Sequence, residues 1–395
     1  MKILVLNAGS SSLKWKLFEM DSDALIASGL IEGISEYYGS FHLHYLDNDL
    51  KIEHAIVDHS EAFTLLFETL STQNIINIEN DLDAIAHRVV HGGETFTEPT
   101  LIDSTVLTQL KSLSPLAPLH NPANILGMEI TSRLAPHIPN IAVFDTAFHH
   151  SMPEHAFTYA LPTTLCKKHH IRRYGFHGTS HHFVALAVAG IHNTPLKELN
   201  LITLHLGNGA SACAIKNGKS VDTSMGFTPL EGLVMGTRCG DLDPGIITYL
   251  MTKENLSAKE IDTLLNRESG LKGICHENDL RTIIQRAANN DRQAQLALEI
   301  FAYRIKKQIG SYIAVLGRVD AIVFTGGIGE HASLVRSMVL DGLDEAFGIL
   351  LDDIKNQNSY NTTIHQPQSR IKLYVIAANE ELQIAHESAK LIKKL

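Results

Sequence analysis

Ile3 to Phe18 reads ILVLNAGSSSLKWKLF, and this segment decides the fold. Ile3 to Leu6 is an apolar run long enough for a buried strand. Leu13, Trp15 and Leu17 then alternate with Lys14, Lys16 and Phe18, the period of two that predicts a second strand. Between them lie Asn7-Ala8-Gly9-Ser10-Ser11-Ser12, all small, with Gly9 free to take a positive φ. One reading is a plain β-hairpin with a serine-rich turn. The other is a turn whose amides and hydroxyls approach an anion, with Lys14 adding positive charge just behind it.

The pattern recurs, which favours the second reading. Leu201 to Leu206 is another apolar run, followed by Gly207-Asn208-Gly209-Ala210-Ser211 and then Ala212 to Ile215. Setting Gly209 against Gly9 aligns strand with strand and turn with turn. One such unit opening each half predicts a duplicated fold with a phosphate-binding turn in each copy. A ligand held by both turns, a nucleoside triphosphate above all, would lie in a cleft between the halves.

The 395 residues suggest two domains. A net charge of −10 argues against nucleic-acid or anionic-membrane partners, so basic residues serving an anionic substrate must be locally concentrated. Cys166, Cys213, Cys239 and Cys275 have no paired spacing; they read as reduced thiols of a cytoplasmic protein. The start lacks a signal-peptide core, and no apolar run approaches the roughly 20 residues needed to span a membrane.

Residues 24 to 57 predict further strands of a meander. Strands are expected over 82–90, 141–144, 321–324 and 372–377, and a second hairpin over 201–223. Helical spacing covers 61–72, 104–113, 122–134, 180–190, 257–266, most of 279–318, and 332–347. Apolar strands alternating with helices imply an α/β fold. The stretch 227–245 is a long loop rich in Gly and Pro, and the break near 150–170, with Pro153 and Pro162, marks a domain boundary. Asn379 is expected to cap a last helix, with Glu380 and Glu381 in its first turn and Lys390, Lys393 and Lys394 near its end.

Several constellations carry chemistry. Gly326-Gly327-Ile328-Gly329-Glu330 sits between a strand and a helix, a place where backbone amides suit a nucleotide. It also fits a dinucleotide fingerprint, but no next strand is evident until about Lys372, so a dehydrogenase is set aside. Arg88 ends an apolar strand beside a Gly-Gly turn, and Arg238, in Gly236-Thr237-Arg238-Cys239-Gly240-Asp241, stands in a loop unlike a solvated face. Arginines so placed fit as forks for a carboxylate or phosphate. His177, His181 and His182 offer an i, i+4 pair but lack the companions of a zinc site. His177, after Tyr174-Gly175-Phe176, is the better candidate for a donor to a phosphoryl group, and His120, in Pro118-Leu119-His120-Asn121-Pro122, is similar.

Together the motifs resemble those of the acetate kinase family. NAGSSSLK and RRYGFHGTSHH look like its two signatures, and HRVVHGGE, PLAPLHNP, VFDTAFH, HLGNGAS, MGFTPLEGLVMGTRCGDLDPG, TGGIGE and ANEEL follow in the family's order. Mild departures are His149-His150-Ser151, Cys239 and His331. The resemblance implies an α/β fold of two duplicated ribonuclease H-like domains around a nucleotide cleft. It places one domain at 1–150 plus 380–395 and the other at 151–379. It also implies a homodimer and a magnesium-dependent reaction, with manganese as a substitute ion: ATP + acetate ⇌ ADP + acetyl phosphate.

By the same resemblance, Arg88 and Arg238 clamp the carboxylate and the moving phosphoryl group, with His177 donating and His120 supporting. The resemblance makes Asp145 catalytic, often cast as an acid/base; an already ionised nucleophile has no proton to give it, which favours its orienting Arg88 or the metal's waters. Asn7 and Glu380 hold the metal. Ser10, Ser12, Lys14, His205, Leu206, Gly207, Asn208, Gly209, Asp279, Leu280, Arg281 and Gly326 to Glu330 bind ATP. Val90, Leu119, Phe176 and Pro229 form the acyl pocket, and relatives preferring propionate carry a smaller residue at the Val90 position. The alternatives are a propionate or other short-chain carboxylate kinase, a sugar kinase, and a non-enzymatic ATP-driven clamp of the same superfamily.

Overall fold

Buried strands that alternate between two covered faces account for the apolar runs. The computed structural model describes residues 1–118, 120–357 and 362–394. The chain forms two compact units, Met1–Ala147 with Asn379–Leu395, and Phe148–Ala378.

In unit 1, β1 (Lys2–Ala8), β2 (Ser12–Glu19), β3 (Ala24–Glu32), β4 (Ser40–Tyr45), β5 (Asn48–Glu53), β6 (Ala84–Val89), β7 (Thr100–Leu101) and β8 (Asn140–Phe144) make one sheet. Its order is β5-β4-β3-β2-β1-β6-β8-β7. β1, β2 and β3 pair antiparallel, whereas β1, β6 and β8 run parallel. Leu4, Leu6, Leu13, Trp15 and Leu17 face the helices His59–Thr72 and Asn121–Leu134. Ile3, Val5 and Phe18 point the other way, against Ile384, Ala385 and Ala389 of the C-terminal helix Glu380–Ile392. That helix carries Glu380 and Glu381, so apolar packing fixes their place. Truncating a core isoleucine such as Ile384 typically costs about 2–5 kcal/mol.

In unit 2, β9 (Asn200–Leu206), β10 (Ala210–Lys216), β11 (Lys219–Thr223), β12 (Ala321–Thr325), β13 (Thr362–Thr363) and β14 (Lys372–Val375) follow the order β11-β10-β9-β12-β14-β13. The central frame repeats that of unit 1. β9, β10 and β11 are antiparallel, and β9, β12 and β14 are parallel. Each unit is therefore a ribonuclease H-like sheet, and the duplication is real. Helix Gly178–His192 supplies Val184, Ala185 and Val188 to one face, and helix Arg292–Leu316 packs on β9 and β10.

Five expectations need correction. Gly9 does not take a positive φ; its smallness matters because a Cβ there would lie 3.0 Å from Ser12 Oγ. The first turn closes through Gly9 N donating to Ser12 O at 2.7 Å, and the second through Gly207 N to Gly209 O at 3.0 Å. Gly207, not Gly209, is thus the counterpart of Gly9, and the second turn is one residue shorter. The hairpin over 201–223 is a three-stranded meander. The turn at 326–330 is itself the helix Gly326–His331, and the expected helix over 332–347 is split into Ser333–Leu340 and Leu343–Phe347 around Gly342, at φ 73°. Short elements escaped the sequence reading, among them β7, β13 and helix Pro244–Lys253. Among the described residues no helix is long and apolar enough to cross a membrane.

Candidate active site

In unit 1 the parallel strands β1, β6 and β8 end side by side, and polar residues gather there. Leu6 is in register with His87, and Arg88 with Val143. Asn7 follows on β1, Arg88 lies on β6, and Asp145 stands just past the end of β8, its N donating to Val89 O at 2.9 Å. Carboxyl ends of parallel strands are where open α/β sheets bind ligands. Arg88 Nε lies 3.1 Å from both Asp145 oxygens, and its Nη2 lies 2.5 Å from Oδ2. Glu380 Oε2, in the first turn of the C-terminal helix, is 3.9 Å from Arg88 Nη2. Burial opposes the charge on Arg88, but Asp145 and Glu380 outweigh it and hold its pKa above the usual arginine value. Arg88 is a permanent cation in a fixed orientation.

Two buried asparagines brace this edge. Asn124 accepts from Val90 N at 3.2 Å and donates to Ala8 O at 2.8 Å. Asn121 accepts from His91 N at 3.2 Å and donates to His91 O at 3.0 Å. Both lie in the helix that His120 precedes. Val90 is half-buried just beyond β6, and Leu119 lies outside the described residues. Ser10 is exposed and Ser12 half-buried in the first turn, whose Gly9 carbonyl is held by His59 Nε2 at 2.8 Å.

Lys14, expected to shape the phosphate side, also meets a carboxylate. Its Nζ is 3.0 Å from Glu381 Oε1, and Lys16 Nζ is 3.0 Å from Oε2 of the same carboxylate. Asn379 caps the helix by accepting from Leu382 N. Burial would raise the Glu381 pKa, but the two lysines override it and hold the group at about 2, against an ordinary 4.5. A depressed folded-state pKa stabilises above the unfolded value and is lost as pH falls through the folded one. The clamp should therefore contribute at most about 3 kcal/mol above pH 4.5, vanishing between pH 4.5 and 2. In Glu381→Gln that acid-side decline should flatten in denaturant melts over the same range; an unchanged decline would refute the clamp.

In unit 2, helix Gly178–His192 begins at His177, whose φ of 56° is left-handed. A non-glycine residue there costs about 1–3 kcal/mol, so its surroundings must hold it. His177 Nδ1 is 2.9 Å from Ser211 Oγ, Ser211 Oγ is 2.8 Å from His181 Nε2, and His181 Nδ1 is 2.7 Å from Thr203 Oγ1. Burial first, then His149 and His205, push the His181 pKa well down. His181 is thus a neutral relay that orients His177. The rings of His177 and His205 lie 4.3 Å apart, and Ser180 Oγ is 2.7 Å from His205 Nδ1. Phe176 is buried, and its carbonyl meets His149 Nε2 at 3.0 Å.

Arg238 reaches the same spot. A Cβ on Gly209 would lie 3.5 Å from both Arg238 Nη1 and His177 Cε1. Arg238 Nη1 donates to Pro229 O at 3.2 Å and touches Met235 Sδ at 3.8 Å. Among the described residues no carboxylate pairs with it, and burial alone lowers its pKa. Arg173 fixes the adjoining loop by donating to the carbonyls of Thr223, Ser224 and Met225 and pairing with Glu231. Glu231 also accepts from Tyr159. Asn121, Asn124, Arg173, Glu231 and Glu381 were missed as site supports; Arg173 at least stands in RRYGFHGTSHH.

The expected nucleotide segments partly converge. β9 and β12 pair through His205 and Thr325, so their turns are neighbours. Gly326, at φ 76°, needs to be glycine: a Cβ would sit 2.7 Å from Leu206 O. Gly327 is exposed with open space above it, Ile328 is half-buried and Gly329 buried. Glu330 accepts from Ala378 N at 2.9 Å, a bond that ties helix Gly326–His331 to the segment after β14. Asn278 Nδ2, at 3.5 Å from Asn208 Oδ1, brings the 278–281 segment to the Gly207–Gly209 turn. Asp279 caps helix Leu280–Ala288 and pairs with Arg281 at 2.6 Å. Leu206 and Leu280 bury their side chains in unit 2, leaving only backbone to offer a ligand.

Comparison with known proteins gives a consistent result. Residues 2–386 match the acetokinase family. The chain is 51% identical to an acetate kinase of Sulfurovum sp. and 51% identical to one of Helicobacter pylori, each over the full length of both proteins. Among solved structures, Porphyromonas gingivalis acetate kinase superposes with a TM-score of 0.95 at 41% identity, covering 99% of both chains. A propionate kinase from Francisella tularensis superposes at 0.93 with 42% identity, covering 98% of both.

Proposed function

The chain belongs to the acetokinase family, and from that footing we infer that it transfers the γ-phosphoryl group of ATP to acetate, reversibly, giving ADP and acetyl phosphate. The observation that carries this reading is Arg238. A half-buried guanidinium beside His177, paired with no carboxylate among the described residues, is disposed to hold an anion. Charge on the equatorial oxygens of the transferring group is what such a fork and a histidine donor neutralise. An acetate oxygen bonds to the γ-phosphorus as the bond to the ADP oxygen breaks. No proton moves, because a carboxylic acid of pKa about 4 is ionised at pH 7.

Arg88 then serves the substrate carboxylate or the phosphoryl oxygens, held for that task by Asp145. Asp145 is an orienter, since both of its oxygens are engaged by a permanent cation. The backbone of His205 to Gly209 and of Gly326 and Gly327, with Asn208 and Asp279 to Arg281 beside it, carries the nucleotide. Magnesium, or manganese in its place, would neutralise charge on the β- and γ-phosphates. Asn7 and Glu380 offer the hard oxygens such an ion prefers while keeping several waters. Glu380→Ala should raise the magnesium concentration for half-maximal activity; an unchanged value with a lowered melting temperature would leave Glu380 only its helix-dipole role.

The test of the activity is hydroxamate detection of acetyl phosphate from ATP and acetate. Product from acetate excludes a purely mechanical clamp, and silence across a sugar panel excludes a sugar kinase. The likeness to a propionate kinase makes acyl length the point of choice. Val90, half-buried just beyond β6, would set it together with Leu119, Phe176 and Pro229. One methylene discriminates by about 1–3 kcal/mol, so acetate should be preferred by roughly 10–200-fold. Val90→Ala should narrow that ratio of kcat/KM, chiefly through the KM for propionate. A ratio that does not fall removes Val90 from the pocket. The enzyme would act as a cytoplasmic homodimer, checked by sedimentation; four free cysteines agree with a reducing compartment.

A further inference from the structure

The end of unit 2 where β9, β12 and β14 begin holds a cavity of about 530 Å³. It lies at the opposite end of these strands from His205 and Gly326, roughly 15–20 Å away at the usual strand rise. Its size falls within the roughly 300–1,000 Å³ of small-molecule sites. Leu199, Val319, Phe347 and Ile371 give it apolar walls. Arg318, Arg370 and Lys372 also line it, against the single carboxylate of Asp320.

That carboxylate is already used. Asp320 Oδ2 accepts from Asn200 N at 2.7 Å and lies 3.2 Å from Arg318 Nη2, which also donates to Glu198 O at 2.8 Å. Among the described residues neither Arg370 nor Lys372 has a carboxylate partner. Arg370 and Lys372 thus line the cavity beside its apolar walls as cations with no carboxylate of their own among the described residues. Such a cavity is matched by a compact dianion with an apolar body. We propose that this cavity is a second binding site, distinct from the active site, for a small organic dianion, either a phosphate ester or a dicarboxylate.

The site stands whatever the acyl substrate is, and its test avoids activity. Calorimetric titration at low ionic strength, where exposed charges are little screened, uses phenyl phosphate, inorganic phosphate and succinate on Arg238→Ala protein, so that the phosphate seat at the active site is weakened. Phenyl phosphate or succinate should bind with one equivalent, and inorganic phosphate more weakly for want of an apolar body. The better of the two identifies the ligand as ester or dicarboxylate. Adding Arg370→Ser and Lys372→Ser should weaken binding by at least about tenfold, since each removes a charge-assisted bond. Arg370 is exposed, so Arg370→Glu alone provides a second variant whose fold is safe, and it should bind neither anion. Absence of binding before the added substitutions, or equal binding after them in protein of unchanged circular dichroism, overturns the proposal.

Discussion

Arg238→Ala is expected to lower kcat by about 10²–10³-fold, the usual cost of removing one donor aimed at transition-state charge. The fold should survive, because the side chain gives unit 2 little: one bond to the Pro229 carbonyl and a contact with Met235 sulfur. Burial with no carboxylate partner among the described residues makes this arginine a cost to the fold, which its removal relieves. The variant should therefore melt no lower than wild type while losing turnover. Arg238→Lys should recover only part of the rate, since a point charge cannot reproduce the planar fork. Steady-state kinetics beside circular dichroism melts decide the matter. Near-normal kcat in a folded variant would take Arg238 out of the site.

The same contrast explains what the sequence could reveal. The frame of both units was legible because Leu4, Leu6, Trp15 and Leu17 alternate with Ile3, Val5 and Phe18 across two covered faces, and period two survives in the sequence. Arg88, Arg238 and His177 stood out as candidates because an arginine near the end of an apolar strand, or an arginine or histidine in a glycine-rich loop, is poorly placed without a task. The supports were not. Asn124 bonds Ala8, 116 residues away, and Glu381 meets Lys14 and Lys16 more than 360 residues away. No periodicity encodes a side-chain bond across such a separation. Glu330 reads as part of a glycine-rich phosphate turn, yet it anchors Ala378. The match of Gly9 with Gly207 depends on which amide closes each turn, a matter of one residue in loop length.

Asp145→Asn should reduce both stability and turnover, and the form of the loss separates an orienter from a base. Asp145 is 1% exposed and grips Arg88 through both oxygens. Asparagine keeps the shape but turns an amide toward the guanidinium, leaving a largely buried cation whose nearest remaining carboxylate among the described residues is Glu380 at 3.9 Å. Breaking a buried pair from one side typically costs about 3–5 kcal/mol, and the remaining Glu380 places the expected loss near about 3 kcal/mol. Turnover should fall because Arg88 is no longer held, with the KM for acetate rising. The pH dependence of kcat should keep its shape, since no proton passes through Asp145. Loss of an acid-side ionisation from that profile would instead make Asp145 a base. A second comparison sharpens the point. Replacing both partners, Arg88→Met with Asp145→Leu, removes the orphaned charge and should restore much of the stability, as apolar replacement of buried pairs does. It should restore none of the activity, because the cation that meets the substrate is gone. Stability and catalysis rising together in the double variant would mean that Arg88 and Asp145 only pack.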